Sequence, residues 1–575
     1  MIHAGFGSTG GPIAPGGAGA VVAMGQSDPN TPLATKKGRP RAPPPVLRLQ
    51  SWCLRLLILS SAVLSVILPA CTRSASRNPV PDASVEADGS VVGDATTPPF
   101  DAGMPRIDVG SLERFVLEGL IVTPDEVIDG QVLVEGDRIT CVAEGQACDS
   151  MAGAAGATVI KTSGVIAPGL IDAHNHILFD IFDETDWTPA QVYENHDQWP
   201  EEPKYRAMLD VKQCLANDSQ GKPSWCAGTG YGTPEGSLRC EMDKWGELKG
   251  LVAGTTSIVG LPGNSAKCFG SLARSIDVSQ NGLPEDRVQT SALFPPSNPT
   301  GVCANYAADK TDSFVVHVAE GVDEKSRGEF ARLGTAGEPD GCLYAPETAI
   351  THGTALTMTE FTAMGMAGMK LVWSPQSNYS LYQQTTNIPA ALDAGILIAL
   401  GPDWSMGGSQ NMLDELRFAE DWDNGNFGDR LSPQDLVTMA TKNGAEVLAL
   451  PGTLGTLEVG TVADIAVFAR TTLDPFDTIL AARPAGVRLV MVGGVVLYGD
   501  EGLVGAAPTD PGCEIIDICG TSKFLCVATT STEDKLDQTY ADVKGVLEQA
   551  LLDVDAASQE DGWNFAPLTP LVRCD

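Results

Sequence analysis

The chain has few basic residues, few histidines and no long run of purely apolar residues. These shortages narrow the range of functions that it can have. Its 575 residues include 37 Lys and Arg against 73 Asp and Glu, which gives a formal net charge of −36 at pH 7. Such a surface repels nucleic acid, and the chain has no basic patch, so nucleic acid is excluded as a partner. The apolar stretch at 56–70 is too short for a membrane-spanning helix, which needs about 20 residues.

The stretch at 56–70 instead indicates export. Basic residues precede it between 36 and 55, and it ends in Leu68-Pro69-Ala70-Cys71. This order is typical of a secretory signal, and the tetrapeptide resembles a bacterial lipobox, which implies cleavage before Cys71 and lipid attachment to its thiol. The chain is predicted to be lipid-anchored in the bacterial cell envelope, in the periplasm or at the outer membrane. The alternatives are a signal cut nearby without lipidation and an uncleaved anchor.

The cysteines agree with an oxidising compartment. Beyond Cys53 in the leader and the lipid-site Cys71, twelve of the 14 remain, and none has the C-x-x-C spacing of a zinc or redox site. An even number of such cysteines in an exported protein favours disulfides, with free buried thiols as the alternative. Cys141 and Cys148 bracket a short turn and are predicted to pair. The other pairings stay open.

The most informative segment is GVIAPGLIDAHNHILFD at 164–180, which places His174 and His176 at the end of an apolar run. Side chains at positions i and i+2 of a strand project to the same face, so both imidazoles can reach one metal ion. An isolated H-x-H pair is often structural. Here the preceding strand-like run and the Pro168-Gly169 break favour a ligand pair.

Three further candidates also lie at the ends of short apolar segments. His317 follows an apolar triplet and precedes Glu320 by three residues, His352 follows an apolar pair, and Asp403 ends another apolar run. The chain has only six histidines, and four of them occupy such ends. Scattered surface placement would not give this pattern, so these residues are predicted to converge.

Helical periodicity between these segments predicts an α/β fold. Apolar residues recur at three- and four-residue spacing in several segments, and strands alternating with such helices favour a parallel sheet. A (β/α)8 barrel over 166–450 fits this alternation, and such barrels carry their chemistry at the C-terminal strand ends. The predicted helices are 357–368, 386–395 and 411–422, and further strands are predicted at 254–260, 288–294, 369–374 and within 264–280.

Seven motifs in one order resemble the amidohydrolase superfamily, close to its cytosine-deaminase-like and triazine-hydrolase-like (ATZ/TRZ) branch. They are PGLIDAHNH, GTTSIV, HVAEG, ITHGTALT, SPQSN, LGPDWS and GTLEVGTVADIAVF. The resemblance implies a TIM-like barrel carried by a small β-sandwich, which the two flanking segments build together. It also implies that His174, His176, His317 and Asp403 bind one divalent metal, that Glu320 shuttles protons and that His352 orients the attacking water or the substrate.

The chemistry of these side chains supports the implied site. Three imidazoles and a carboxylate suit zinc or iron(II), and the sequence does not choose between them. Relatives with two metals add a bridging carboxylated lysine, but 288–294 contains no lysine, so a single metal is predicted. Lys370 is interpreted as an ion-pair partner or a solvated strand end. His196 and Trp187 are candidates for the substrate pocket, although an ordinary surface loop explains them equally well.

The predicted function is hydrolysis of a non-peptide C–N bond in a small, cyclic nitrogen compound. A dipeptidase, a hydrolase of C–halogen or ester bonds, and a non-catalytic surface binding protein are the alternatives, and assembly into a homo-oligomer stays open. The C-terminal segment is predicted to hold a helix over 531–556 that docks on the barrel. The predicted organisation is leader 1–71, tether 72–110, first sandwich segment 111–165, barrel 166–450, second sandwich segment 451–500 and a cysteine-containing extension 501–575.

Overall fold

A computed structural model describes residues 103–574, except for 219–220, 264–267, 279–282, 284–286, 510, 533–534 and 559–561. The predicted leader, the lipid-site Cys71 and most of the predicted tether therefore lie outside the described residues. Within the part of the chain that is described, no helix combines the length and the apolar character needed to cross a bilayer.

The described residues form eighteen strands and twelve α-helices, named here in chain order. The strands are β1 Arg106–Asp108, β2 Ser111–Val122, β3 Val127–Glu135, β4 Arg138–Glu144, β5 Ala157–Pro168, β6 Leu170–Asp172, β7 Thr255–Ile258, β8 Arg274–Ser275, β9 Val288–Ser291, β10 Ser313–Val318, β11 Thr348–His352, β12 Lys370–Trp373, β13 Ile398–Leu400, β14 Ile465–Ala469, β15 Val487–Val492, β16 Val495–Asp500, β17 Glu514–Ile518 and β18 Thr521–Leu525. The helices are α1 Pro203–Leu215, α2 Arg239–Leu251, α3 Pro299–Ala307, α4 Glu324–Leu333, α5 Met358–Ala367, α6 Pro375–Tyr382, α7 Ile388–Asp393, α8 Met412–Trp422, α9 Pro433–Met439, α10 Lys442–Val447, α11 Pro475–Leu480 and α12 Tyr540–Ala557.

Eight strands are parallel and lie in two adjoining sheets. One has the order β13-β12-β11-β10-β9 and the other the order β6-β7-β8. Backbone hydrogen bonds beyond the strand ends join β6 to β13, since the amide of Ala173 donates to Leu400 at 3.1 Å and that of Asp403 donates to His174 at 2.9 Å. Among the described residues, β8 and β9 share no backbone pairing. Helices intervene between β6 and β7 and between the successive strands from β9 to β13, so the predicted α/β class is confirmed.

Local sequence signals account for the helices that connect these strands. Helix α5 begins at a capping box. The Thr357 side chain accepts a hydrogen bond from a backbone amide of the first turn, and the Glu360 side chain accepts one from the Thr357 amide. It ends at Gly368, whose φ of 72° is the left-handed conformation that glycine adopts without steric cost. The chain can therefore turn directly into β12. The helices predicted at 357–368, 386–395 and 411–422 correspond to α5, α7 and α8.

The two flanks of the parallel strands pair in one ten-stranded sheet of order β17-β18-β16-β15-β14-β5-β2-β3-β4, with β1 on β5. Its central contact is the antiparallel pair β5 and β14, in which Ile166 lies opposite Val467. Alternate apolar side chains of these strands are buried in one core, as period-two strands require. The hairpin β17-β18, which lies in the segment after 500, extends the same sheet.

The C-terminal helix begins later than predicted. Helix α12 starts at Tyr540 rather than near 531, because Thr539 and Asp542 form the capping box that fixes its first turn. Its buried stripe, which includes Val543, Leu547 and Val554, packs on α2, the helix that precedes β7. The predicted docking of this stripe is therefore present.

All twelve cysteines in the described part of the chain are paired, so the disulfide prediction is confirmed and the free-thiol alternative is wrong. Cys141 and Cys148 form the predicted local bridge. The other pairs are Cys214–Cys226, Cys240–Cys268, Cys303–Cys342, Cys513–Cys526 and Cys519–Cys574.

The last of these bridges ties the C-terminal tail to β17 and β18, and the tail in turn lies on the loop after β6. Arg573 Nε donates to Asp183 at 3.0 Å, and Thr569 Oγ1 donates to the Ile181 carbonyl at 3.1 Å. Phe565 packs against Phe182 with a ring-centre distance of 5.5 Å. The tail therefore fixes the path of the loop that follows His174 and His176.

Loss of the Cys519–Cys574 bridge is expected to destabilise the protein more than loss of the Cys141–Cys148 bridge. The two bridges join residues 55 and 7 positions apart, and loop-closure entropy predicts losses of about 4 and about 2 kcal/mol respectively. Urea unfolding of the two double Cys→Ser variants measures the difference. Equal stability of both variants and the unsubstituted protein would contradict the assignment.

Candidate metal centre

The predicted site residues all lie at the C-terminal ends of parallel strands. His174 and His176 follow β6, His317 is the penultimate residue of β10, His352 ends β11 and Asp403 follows β13. Parallel strands place these ends at one edge of the sheet. Residues as far as 229 positions apart in sequence are thereby brought together.

Four of these side chains form a cluster small enough for one ion. Each of His174, His317, His352 and Asp403 offers one ligand atom, and these atoms all lie within 4.8 Å of one another. His176 borders the cluster, with its Nε2 3.3 Å from His317 Nε2 and 3.4 Å from Asp403 Oδ1. Ligand atoms bound to tetrahedral zinc at about 2.0–2.1 Å lie about 3.3 Å apart.

The hydrogen bonds around the cluster show that its nitrogens suit a cation. His317 Nδ1 donates to the Ser291 carbonyl at 3.0 Å, which leaves the lone pair on Nε2. This lone pair faces His176 Nε2. His352 is fixed in the same way, since its Nδ1 donates to Asn378 Oδ1 at 3.0 Å and leaves Nε2 free to accept.

Burial keeps the imidazoles of His174, His176 and His317 neutral, as metal ligands must be. It lowers the pKa of His176 to about 3 and holds the pKa values of His174 and His317 below their usual range. Burial alone would raise the pKa of Asp403, but its hydrogen bond with His174 and the neighbouring imidazoles hold it well below the usual range. His174, His176 and His317 therefore present neutral nitrogens beside the carboxylate of Asp403 at neutral pH.

Left-handed backbone conformations aim two of these side chains at the cluster. The φ angles of His352 and Asp403 are 70° and 75°, and that of Ala319, between His317 and Glu320, is 59°. Such angles are unfavourable for residues other than glycine and persist where the surroundings fix them. At Asp403 the backbone amide is held by the His174 carbonyl, which stabilises the turn.

Several supporting residues were not predicted as part of the site. Asp172 accepts hydrogen bonds from the His174 amide at 3.0 Å and from Asn175 Nδ2 at 2.9 Å, and so fixes the ligand loop. Ser377 Oγ donates to Asp403 Oδ2. The SPQSN motif contains Ser377 and Asn378, so the sequence marks this segment without revealing which side chains it contacts.

Glu320 lies beside the cluster and is nearly buried. Its Oε2 is 3.9 Å from His352 Nε2, and its Oε1 accepts a hydrogen bond from the Tyr382 hydroxyl at 2.7 Å. The structure therefore brings Glu320 to the same side as His352, within reach of a molecule at the metal position.

The two pocket candidates lie farther out. The His196 side chain turns to Glu329, whose carboxylate raises the pKa of this imidazole to about 9, and it does not join the cluster. Trp187 is buried against Trp404, whose ring centre is 5.8 Å from that of His176. Trp187 thus supports the aromatic wall of the site. Lys370 starts β12, at the end opposite the ligands.

Comparison with known proteins agrees with this site. The amidohydrolase family model matches residues 299–497. A 5-methylthioadenosine/S-adenosylhomocysteine deaminase of Haloquadratum walsbyi is 26% identical over 361 residues, which cover 58% of this chain and 79% of that protein. A 5′-deoxyadenosine deaminase of Methanothermobacter thermautotrophicus is 25% identical over 423 residues, with coverages of 67% and 94%. Over these residues the chain is similar to members of the amidohydrolase superfamily.

Solved amidohydrolases share the fold. A triazine hydrolase variant superposes with a TM-score of 0.52 at 19% identity, over 69% of this chain and 96% of that structure. The zinc complex of atrazine chlorohydrolase from Arthrobacter aurescens gives a TM-score of 0.50 with the same identity and coverage. These structures show the fold alone; the family model and the deaminase relatives bear out the predicted resemblance to the superfamily and agree with the predicted enzyme class, a hydrolase of C–N bonds other than peptide bonds.

Replacing Asp403 by Asn is expected to weaken metal binding at this cluster. The change keeps the size of the side chain but removes the charge that faces His174 and His176, and the metal affinity is expected to fall by at least the ~10–100-fold typical of a lost supporting group. Elemental analysis after dialysis measures this. His196→Asn is the control and is expected to keep its metal. A full equivalent of metal in the Asp403 variant would exclude Asp403 as a ligand.

Proposed function

We propose that this amidohydrolase cleaves a C–N bond of a small, cyclic nitrogen compound by deamination or by amide or amidine hydrolysis. The observation that carries the proposal is the meeting of His174, His176, His317 and Asp403 beside Glu320. The names of the relatives, which are deaminases of adenosine derivatives, support the same chemistry. The most economical reaction is attack of water on a ring carbon with loss of ammonia.

His174, His176, His317 and Asp403 are proposed to hold one divalent ion, zinc or iron(II). Bound there, the ion would supply activation of water near neutral pH and polarisation of the substrate. His352 belongs to the same tight cluster as three of these residues. Because Asn378 holds its Nδ1, His352 presents Nε2 toward the reacting atoms and is proposed to orient the water or the substrate.

Glu320 is proposed to carry the proton. It takes one proton from the attacking water and delivers it to the leaving nitrogen, so that the C–O bond forms, the C–N bond breaks and the nitrogen departs as ammonia or an amine. The carboxylate is suited to this because Oε2 lies on the His352 side of the cluster. Its position on the turn after β10 keeps it close to the ligand His317.

The wider organisation of the protein is part of the proposal. The eight parallel strands are proposed to close into a (β/α)8 barrel, and the ten-stranded sheet of the flanks to carry it as the β-sandwich. Export with a lipid anchor at Cys71 is proposed from the leader and from the six disulfides, which form and persist in oxidising compartments.

Glu320→Gln is expected to lower the rate of ammonia release by about 10²–10⁴-fold, the usual contribution of a general acid–base. The metal content is expected to stay unchanged, since Glu320 is not a ligand. The assay uses a panel of 5′-deoxyadenosine, 5′-methylthioadenosine, S-adenosylhomocysteine and atrazine, and records ammonia, amine and chloride separately. Glu324→Gln, an exposed carboxylate on α4, is the control.

Two outcomes would contradict the proposal. One is full activity of the Glu320→Gln variant, which would show that Glu320 does not carry the proton. The other is release of chloride alone, or cleavage of a dipeptide or an ester without any release of ammonia or amine from the panel. Chelation is expected to abolish the activity, and restoring it with zinc or iron(II) identifies the metal.

A further inference from the structure

Tyr382, the last residue of α6, places its hydroxyl group inside the site. The side chain is 1% exposed, and the hydroxyl contacts two groups of opposite character. It lies 2.7 Å from Glu320 Oε1 and 3.1 Å from Trp199 Nε1. Neither contact belongs to the metal cluster, and neither is used in the proposed reaction.

The direction of these two hydrogen bonds is fixed by chemistry. The indole Nε1–H of Trp199 only donates, so the Tyr382 oxygen must accept from it. The single hydroxyl proton of Tyr382 is then available for Glu320, whose carboxylate accepts it. The chain Trp199 to Tyr382 to Glu320 therefore has one direction and ends on Oε1 of Glu320.

This arrangement leaves the two oxygens of Glu320 with different tasks. Oε1 is occupied as an acceptor, whereas Oε2 points to the cluster, 3.9 Å from His352 Nε2. The backbone of Glu320 is held as well, since its carbonyl accepts from the His196 amide at 3.2 Å and from Ser326 Oγ at 3.4 Å. With both the backbone and Oε1 held, the carboxylate has little freedom to rotate.

Helix α6 supports three groups of the site at once. Ser377 contacts Asp403, Asn378 contacts His352, and Tyr382 contacts Glu320. The end of α6 is also joined to the loop that carries Trp199, because the Tyr193 amide donates to the Leu381 carbonyl at 2.9 Å. A single short helix thus sets the relative positions of a proposed ligand, the orienting histidine and the proton carrier.

We propose that Tyr382 is a positioning residue that reserves Oε1 of Glu320 and so directs proton transfer to Oε2, with Trp199 fixing the orientation of the hydroxyl. The inference rests on the proton-carrying role of Glu320 stated under the proposed function. Tyr382 then affects the rate of the reaction through Glu320 and does not bind the metal.

The test is a double-mutant cycle between Tyr382→Phe and Glu320→Gln, with the substrate of the panel that releases ammonia fastest. Tyr382→Phe removes only the hydroxyl. It is expected to lower kcat by about 10–100-fold, the value of one hydrogen bond to a charged group, and to leave KM and metal content unchanged. In the Glu320→Gln background the same change is expected to have little further effect, because both variants remove one function.

Tyr379→Phe is the matched control, since Tyr379 lies one turn earlier on α6 and packs its ring on Phe418 and Trp422. It is expected to keep the unsubstituted kcat. A Tyr382→Phe variant that matches this control, that loses metal, or whose effect multiplies with that of Glu320→Gln would overturn the inference. Full activity of Glu320→Gln alone would instead overturn the proposed function, so the two failures are distinguishable.

Discussion

The site depends on one electrostatic constraint, the crowding of neutral nitrogen lone pairs around a buried carboxylate. His317 commits its Nδ1 proton to the Ser291 carbonyl, so its Nε2 lone pair faces His176 Nε2 at 3.3 Å. Both rings are neutral, because burial lowers their pKa values. In one tautomer of His176 its Nε2 proton is donated to His317, and in the other both Nε2 lone pairs are free to bind a shared cation. Binding of one metal ion by both rings selects the second tautomer.

The rest of the fold holds the clustered histidines and Asp403 in place. Parallel strands bring the side chains to one edge, and left-handed turns at His352 and Asp403 aim them inward. Helix α6 holds Asp403, His352 and Glu320 through side-chain hydrogen bonds. The C-terminal tail is held by the Cys519–Cys574 disulfide and contacts the loop after β6 through Arg573. Stability from disulfides and tail contacts thus offsets strain at the site.

Local pattern was enough to predict the parallel strands, the helices α5, α7 and α8 and the meeting of the site residues, because each site residue ends an apolar segment whose direction is fixed. Tyr382 could not be predicted in this way, since its partner Glu320 lies 62 residues away and the contact depends on how α6 packs. The hairpin β17-β18 and the start of α12 depend on long-range pairing and on one cap. His196 lies in a loop, and loops have no sequence periodicity. The direction of its side chain could therefore not be predicted.

Anomalous X-ray diffraction from crystals of the purified protein at the zinc and iron absorption edges tests the central claim most directly. The account predicts one peak, within about 2.0–2.2 Å of the Nε2 atoms of His174, His176 and His317 and of an Asp403 oxygen. Two peaks, a peak bound by other residues, or well-ordered facing imidazoles with no peak in protein prepared without chelators would contradict it.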